Sequence, residues 1–389
     1  MFRKISAKFV GLVVVGVLAA CSFVVPGTPI ARSSAISSPP PPAAAIRGET
    51  IPQQEPIQFF PGEELPTPTP PATPQQEFVI PDLSGVKLGV TYSFPHATWL
   101  FGGFDQAKSA FDQIGCGLDV KHYRLEAYWN WLQDDSSASM KTNFNIDWQL
   151  ATAKRCGAES VVMCVGRKVP RWPEYHIPNW AKDLSEAELK AALLDYLKKF
   201  VGRYASEPII KAWQIENEPF LEFGEGSPFD DQEEFLRKEV AEVQTTDTLK
   251  RPIIITESGD TGDWEKSATF GDILGVTFYG ISFDRGAYFE HSERNGPPSK
   301  WTNRAKAIGK PAWLIEMQAE PWGPNSIKDL SIDEARKSMN PERLVNHLNY
   351  VVDAGFTDIN LWGAEWWLYE KQRGRPAMWD TAKKIFAQK

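Results

Sequence analysis

Eight short apolar runs alternate with longer amphipathic stretches over residues 86–388 of the 389-residue chain, and this alternation restricts the fold more than any other feature. The runs are VKLGVTYS (86–93), HYRLEAY (122–128), ESVVMCVG (159–166), IIKAWQIE (209–216), PIIITES (252–258), ILGVTFYG (273–280), AWLIEMQ (312–318) and DINLWGAEW (358–366). Helical patterns such as FDQAKSAFDQIG, EAELKAALLDYLKKFVGRYA and NPERLVNHLNYVVDAG separate them. Strands alternating with helices predict a parallel sheet with helices outside it. Eight units in about 300 residues fit a (β/α)8 barrel, the TIM-barrel architecture, in one domain. An open doubly wound sheet is the competitor. The chain carries neither GxGxxG nor a Walker loop at the first strand–helix turn, so a nucleotide-binding version has no support.

The segment before residue 82 has a different composition. Arg3, Lys4 and Lys8 precede the apolar run FVGLVVVGVLAA, which ends at Cys21. A charged start, a short apolar core and small residues make a secretory signal. The run is short for a membrane span. Leu18-Ala19-Ala20-Cys21 resembles the bacterial lipobox, and that resemblance implies cleavage before Cys21 and lipidation of its thiol. Of the 30 prolines, 15 lie at or before Pro81, and none of the 15 tryptophans does. Residues 22–81 therefore read as an extended linker without a core. The expected organisation is a lipoprotein signal peptide at 1–21, a linker at 22–81 and a (β/α)8 barrel domain at 82–389. The protein would be exported to the cell envelope and anchored to a membrane through Cys21.

The net charge of -8 argues against nucleic-acid partners, which select basic patches. The five histidines form no HxH or HExxH pair, so no metal site is expected, and nothing implies a cofactor. No feature calls for a partner chain, and the protein reads as a monomer. Cys164 lies in an apolar run and reads as a buried thiol. A bridge between Cys116 and Cys156 suits an exported protein, but its connectivity is not readable from sequence.

In a (β/α)8 barrel the active site gathers where strands end. Carboxylates at those ends are Glu216 and Glu218 on the fourth strand, Glu257 on the fifth, Glu316 and Glu320 on the seventh, and Glu365 on the eighth. Cleavage of a glycosidic bond needs two such groups, one on each side of the bond. Glu216 and Glu218 share parity, so alternation alone leaves the choice between them open.

Asn217-Glu218-Pro219 after an apolar strand resembles the Asn-Glu-Pro motif of clan A glycoside hydrolases, the cellulase and xylanase superfamily. The resemblance extends over about residues 85–388. It implies that Glu218 is the acid/base and that Asn217 binds the sugar 2-hydroxyl. It also implies that Glu316 in PAWLIEMQAEPW is the nucleophile, with Glu320 as fallback. Arg124 and Tyr279 match positions that support the nucleophile in this clan. The third strand departs from the cellulase-like pattern, because it lacks the histidine found there. Its Pro170-Arg171-Trp172-Pro173 resembles β-galactosidase-like and xylosidase-like branches instead.

Tryptophans near strand ends are candidate stacking surfaces for sugars: Trp99, Trp129, Trp131, Trp172, Trp180, Trp322, Trp366 and Trp367. Trp362 and Trp366 are expected beneath the central sugar, with Trp172 also binding substrate. Lys168, Arg171, His176 and Glu222 are candidates for the rim. Glu216, Glu257 and Glu365 read as supporting groups, and His96 and His122 as ordinary polar residues. The resulting expectation is a retaining hydrolase of a β-linked oligo- or polysaccharide. The alternatives are a non-catalytic carbohydrate-binding barrel and a transglycosylase using the same residues. The sugar, and endo versus exo action, stay open.

Overall fold

A computed structural model describes residues 79–136 and 139–388. The expected signal peptide, Cys21 and nearly all of the proline-rich segment lie outside the described residues. Among the described residues ten strands run in chain order: β1 (Lys87–Tyr92), β2 (His122–Glu126), β3 (Ser160–Val165), β4 (Ile210–Ile215), β5 (Ile253–Ser258), β6 (Ile273–Phe278), β7 (Ile281–Asp284), β8 (Ala287–Glu290), β9 (Ala312–Gln318) and β10 (Asp358–Trp362). Eight close a parallel barrel in the order β1-β10-β9-β6-β5-β4-β3-β2. These are the eight expected runs, with β9 and β10 as the seventh and eighth barrel strands. The fold is the expected (β/α)8 barrel.

Each barrel strand is buried on both faces, which is why its sequence is a nearly continuous apolar run. Inside the barrel, Val162, Ala212, Ile254, Ile273 and Ile315 form a compact cluster. The larger core lies between strands and helices, where Phe111, Leu197, Val243 and Leu348 are fully buried. Helix starts match the capping signals. Ser185 and Glu188 form a reciprocal capping box before the helix Glu186–Tyr204. Asn340 caps the helix that opens with Pro341.

Two local features depart from the sequence reading, and a third, a disulfide, matches the bridge it offered. The eighth strand stops at Trp362, because Gly363 takes φ 127, a conformation that favours glycine, and the chain turns into the helix Ala364–Gln372. Glu365 and Trp366 are therefore helical. An antiparallel hairpin, β7–β8, follows β6 and was not expected. Cys116 and Cys156 form a disulfide that ties the end of the helix Phe104–Gly117 to the end of the helix Thr142–Arg155. Cys164 is a buried free thiol, as expected.

Candidate active site

The end of β4 separates the two neighbouring carboxylates. After Ile215 the backbone leaves the extended region, with Glu216 at φ 57 and Glu218 at φ 45. Left-handed conformations at non-glycine residues are costly, on the order of 1 kcal/mol each, and persist where surrounding contacts hold them. Here the contacts differ. The Glu216 carboxylate turns under the exit of β3 and accepts the backbone N–H groups of Arg167 at 2.8 Å and Lys168 at 2.7 Å. A Cβ on Gly166 would lie 2.6 Å from Glu216 Oε1, so glycine is required for that approach. Glu216 braces β3 against β4. The Glu218 carboxyl instead accepts the Thr277 hydroxyl of β6 at 2.9 Å, and the Glu218 N–H donates to Thr256 Oγ1 of β5 at 2.7 Å. Strand parity does not apply, because neither residue is in the strand.

Glu316 closes β9. Its Oε2 accepts from Arg124 Nη1 at 2.6 Å, and its Oε1 accepts the Tyr279 hydroxyl. Arg124 rises from β2 with no exposed surface and also donates to Gln214 Oε1 at 2.8 Å and Asn217 Oδ1 at 3.1 Å. One guanidinium thus aligns Glu316 and the side chain beside Glu218. Asn217 Nδ2 donates in turn to Glu174 Oε2 at 3.3 Å.

Burial and crowding of negative charge set the protonation of this group. Burial, and then the nearby Glu316, push Glu218 up to about 8, with Lys168 opposing. Burial and then Glu316 push Glu174 up to about 7. Lys168 is lowered by burial, and its Nζ donates to the carbonyls of Glu218 at 2.9 Å and Leu221 at 2.6 Å. Lys168 therefore pins the loop after β4 rather than reaching the cleft rim. Glu218 keeps its proton near neutrality beside a carboxyl held by two donors, which is the asymmetry an acid and a nucleophile require.

These groups line a cleft of about 750 Å³. Asn217, Glu218, Tyr279, Glu316, Trp172 and Trp362 all face it, with Arg124 behind Glu316. Trp366 does not. It is 2% exposed in the helix after β10, so the expectation that it underlies the sugar is corrected by the turn at Gly363. Trp99 and Trp322 also line the cleft, whereas Trp129, Trp131, Trp180 and Trp367 pack elsewhere. Of the rim candidates, Arg171 and His176 face the cleft; Lys168 and Glu222 do not.

Glu320 is engaged by both terminal nitrogens of Arg171, which leaves Glu316 as the carboxyl aimed beside Glu218. Glu257 accepts from Ser267 Oγ at 2.7 Å and from the Ser258 N–H at 2.9 Å. Glu365 accepts the Ser93 N–H at 2.8 Å, and burial raises it to about 7. His122 meets Ser160 Oγ at 2.8 Å at the start of β2, away from the cleft. His96 lines the cleft beside Trp99, contrary to its reading as an ordinary strand-edge residue.

Two parts of the wall were missed. Glu174 gave no signal beyond following Trp172-Pro173. The hairpin gave one: ISFDRGAYFE places Arg285 at φ 48 and Gly286 at φ 82, the tight turn that a central glycine between alternating residues indicates. His291, at the hairpin's end, contacts Asp260 through Nδ1 at 3.0 Å and Ser282 Oγ through Nε2 at 2.8 Å. Arg294 Nε pairs with the same Asp260 oxygen at 3.3 Å, so this cluster fastens the hairpin to the loop after β5.

No family model matches the sequence, and no curated protein does. Solved structures do match. A GH5_18 protein from Bifidobacterium longum subsp. longum is 18% identical, with a TM-score of 0.52 over 78% of this chain and 79% of that one. A variant of it in complex with Manb1-4GlcNAc gives a TM-score of 0.54 at 17% identity over 78% of each chain. The endo-1,4-beta-mannanase of Rhizomucor miehei is 13% identical, with a TM-score of 0.51 over 78% of this chain and 95% of that one. At these identities the likeness is one of architecture: the chain shares its (β/α)8 barrel fold with this mannanase and the GH5_18 protein.

Proposed function

We propose that the chain is a retaining glycoside hydrolase of clan A, acting on β-linked glycans with Glu316 as nucleophile and Glu218 as acid/base. The observation that carries this reading is the pairing at the ends of β4 and β9. A carboxyl raised to about 8 stands beside one fixed by Arg124 and Tyr279. In the first step protonated Glu218 gives its proton to the glycosidic oxygen while a Glu316 oxygen attacks the anomeric carbon. The bond from that carbon to the leaving oxygen breaks, and a glycosyl ester on Glu316 forms. In the second step ionised Glu218 takes a proton from water, whose oxygen attacks the same carbon. The ester bond breaks, Glu316 is released, and Glu218 is protonated again. Asn217 is oriented by Arg124 for the sugar 2-hydroxyl. No step needs a metal or cofactor.

The neighbours that act on or hold mannose-containing β1-4 glycans make β-mannosides the first substrates to test. A screen of nitrophenyl β-glycosides and β-linked oligosaccharides should give turnover. Glu218→Ala should lower it about 10²- to 10⁴-fold on substrates with poor leaving groups, and much less on those that need no protonation. Turnover unaffected by Glu218→Ala or Glu316→Ala would refute the assignment. We also propose that the barrel is exported and lipid-anchored at Cys21. Cys21→Ser should release it from membranes, and unchanged fractionation would count against the anchor.

A further inference from the structure

The cleft is not an open groove. Arg171, on the loop after β3, reaches across the barrel mouth to Glu320, on the loop after β9, with both terminal nitrogens; Nη2 lies 2.9 Å from Glu320 Oε2. The same guanidinium sits 4.1 Å from the centre of the Trp362 ring, at the end of β10, and 3.9 Å from Glu365. His176 Nε2 meets the Arg171 carbonyl at 3.0 Å from behind. The bridge is sheltered, with 13% and 10% of the two side chains exposed. It leaves Trp362, the ring expected to carry a sugar, only 6% exposed. The loop after β9 also reaches the helix Phe94–Phe101 and the loop after β4. Lys328 Nζ donates to the Trp99 carbonyl at 3.2 Å, and Trp322 meets Phe223 at 6.4 Å.

The proposed chemistry orients this bridge. Glu218 protonates the leaving oxygen, so the departing part of the substrate lies on its side, toward β4, β5 and β6. The sugar attacked by Glu316 lies on the other side, toward β10, β1 and β3, where the bridge is. Two cleft-lining residues at this end carry a buried polar atom that makes no hydrogen bond within the protein: His96 at Nε2 and Arg171 at Nε. Buried polar groups need partners, and the hydroxyls of one pyranose ring supply both donors and acceptors. Arg171 is already paired with Glu320 through both terminal nitrogens, so it offers no free positive charge to a uronate carboxylate, which favours an uncharged sugar.

We propose that the Arg171–Glu320 bridge closes the glycone side into a pocket for one uncharged terminal sugar, so that the enzyme removes single residues from non-reducing ends. This rests on the glycosidase reading above and adds its mode of action. Arg171 is a specificity-determining residue in this account. A second glycone sugar would have to pass through the ion pair, and separating two sheltered charged groups is costly.

The test compares nitrophenyl β-monoglycosides with nitrophenyl β-biosides of the same sugar, beside a reducing-end-labelled oligosaccharide. The expected result is direct nitrophenol release from the bioside at a kcat/KM about 100-fold or more below that of the monoglycoside. From the labelled chain, free monosaccharide should be the first product, leaving labelled chains one unit shorter. The paired variant Arg171→Met/Glu320→Gln removes both charges together. It should raise bioside kcat/KM about tenfold and lower that of the monoglycoside. Internal fragments at the first turnover, or a bioside preferred by the unaltered enzyme, would overturn the pocket while leaving the hydrolase reading intact. Unaltered selectivity in the paired variant would overturn the role of the bridge. Cleavage of neither substrate class would overturn both readings. Should the variant fail to fold, the product ladder of the unaltered enzyme still decides.

Discussion

Two left-handed residues within three positions divide the work of β4's carboxylates. Glu216 accepts two backbone N–H groups and braces a loop, whereas Glu218 reaches the cleft. Composition and parity could not separate them, since both would lie at the same phase if the strand continued. The Asn-Glu-Pro resemblance could, and the backbone supplies the physical reason. Arg124 was legible in the same way, and its bonds to Glu316 and Asn217 explain why an arginine with no exposed surface is tolerated there. Glu174 was not legible, because only the path of the loop after β3 brings it to Asn217. A pH dependence follows. In the proposed mechanism Glu218 must be protonated for the first step, and burial beside Glu316 pushes it up to about 8. The kcat/KM of the free enzyme should therefore hold through neutrality and fall as pH rises past about 8. Glu218→Gln should remove that alkaline limb for substrates with excellent leaving groups. A limb that stays in place in Glu218→Gln would assign it to another group. Arg124→Lys should lower kcat by about tenfold or more while KM changes less, since a point charge cannot hold both Glu316 and Asn217. Steady-state kinetics check it.

All eight barrel strands were legible as elements because burial on both faces leaves an unbroken apolar signature. β5 and β9 end where expected, at Ser258 and Gln318, but the other C-terminal ends were not legible, because polar residues such as Glu216 and Glu365 continue the run by one or more positions after the backbone has turned. Gly363 is the clearest case. Its φ of 127 ends β10, starts a helix and carries Trp366 out of the cleft into the core. The β7–β8 hairpin has four residues per strand, below the length at which periodicity identifies a strand securely. The disulfide is a pairing that spacing alone cannot assign. It clamps the ends of two outer helices on the barrel, remote from the cleft-lining residues. Cys116→Ser/Cys156→Ser should cost about 2–4 kcal/mol in urea unfolding and leave kcat/KM within about twofold. A loss of activity with intact folding would contradict that separation.

At the scale of the whole molecule, the barrel mouth concentrates carboxyls that folding favours in their protonated form. Glu174 and Glu365 are raised to about 7 and Glu218 to about 8 from the usual 4.5, each chiefly by burial. Groups of this kind bind protons more tightly in the folded than in the unfolded chain. Their contribution to stability is complete below about 4.5 and is lost as pH rises through 7 to 8. Thermal unfolding followed by circular dichroism should give a Tm that declines from pH 5 to pH 8, and Glu218→Gln should flatten that decline. A Tm that rises over this interval would show that other groups dominate. The central claim concerns the paired carboxyls, and its stereochemistry is a property of the assembled cleft. Retaining chemistry calls for carboxyl groups about 5 to 5.5 Å apart, so that one attacks carbon directly; a wider gap of ~6.5 to 9.5 Å admits water. The most direct measurement is proton NMR of the sugar azide formed when Glu218→Ala is given an activated β-glycoside and sodium azide. Azide should restore turnover by attacking the Glu316 ester, and the product should be the β-glycosyl azide, with configuration retained. An α-glycosyl azide, or no restoration by azide, would contradict the assignment of Glu316 as nucleophile and Glu218 as acid/base.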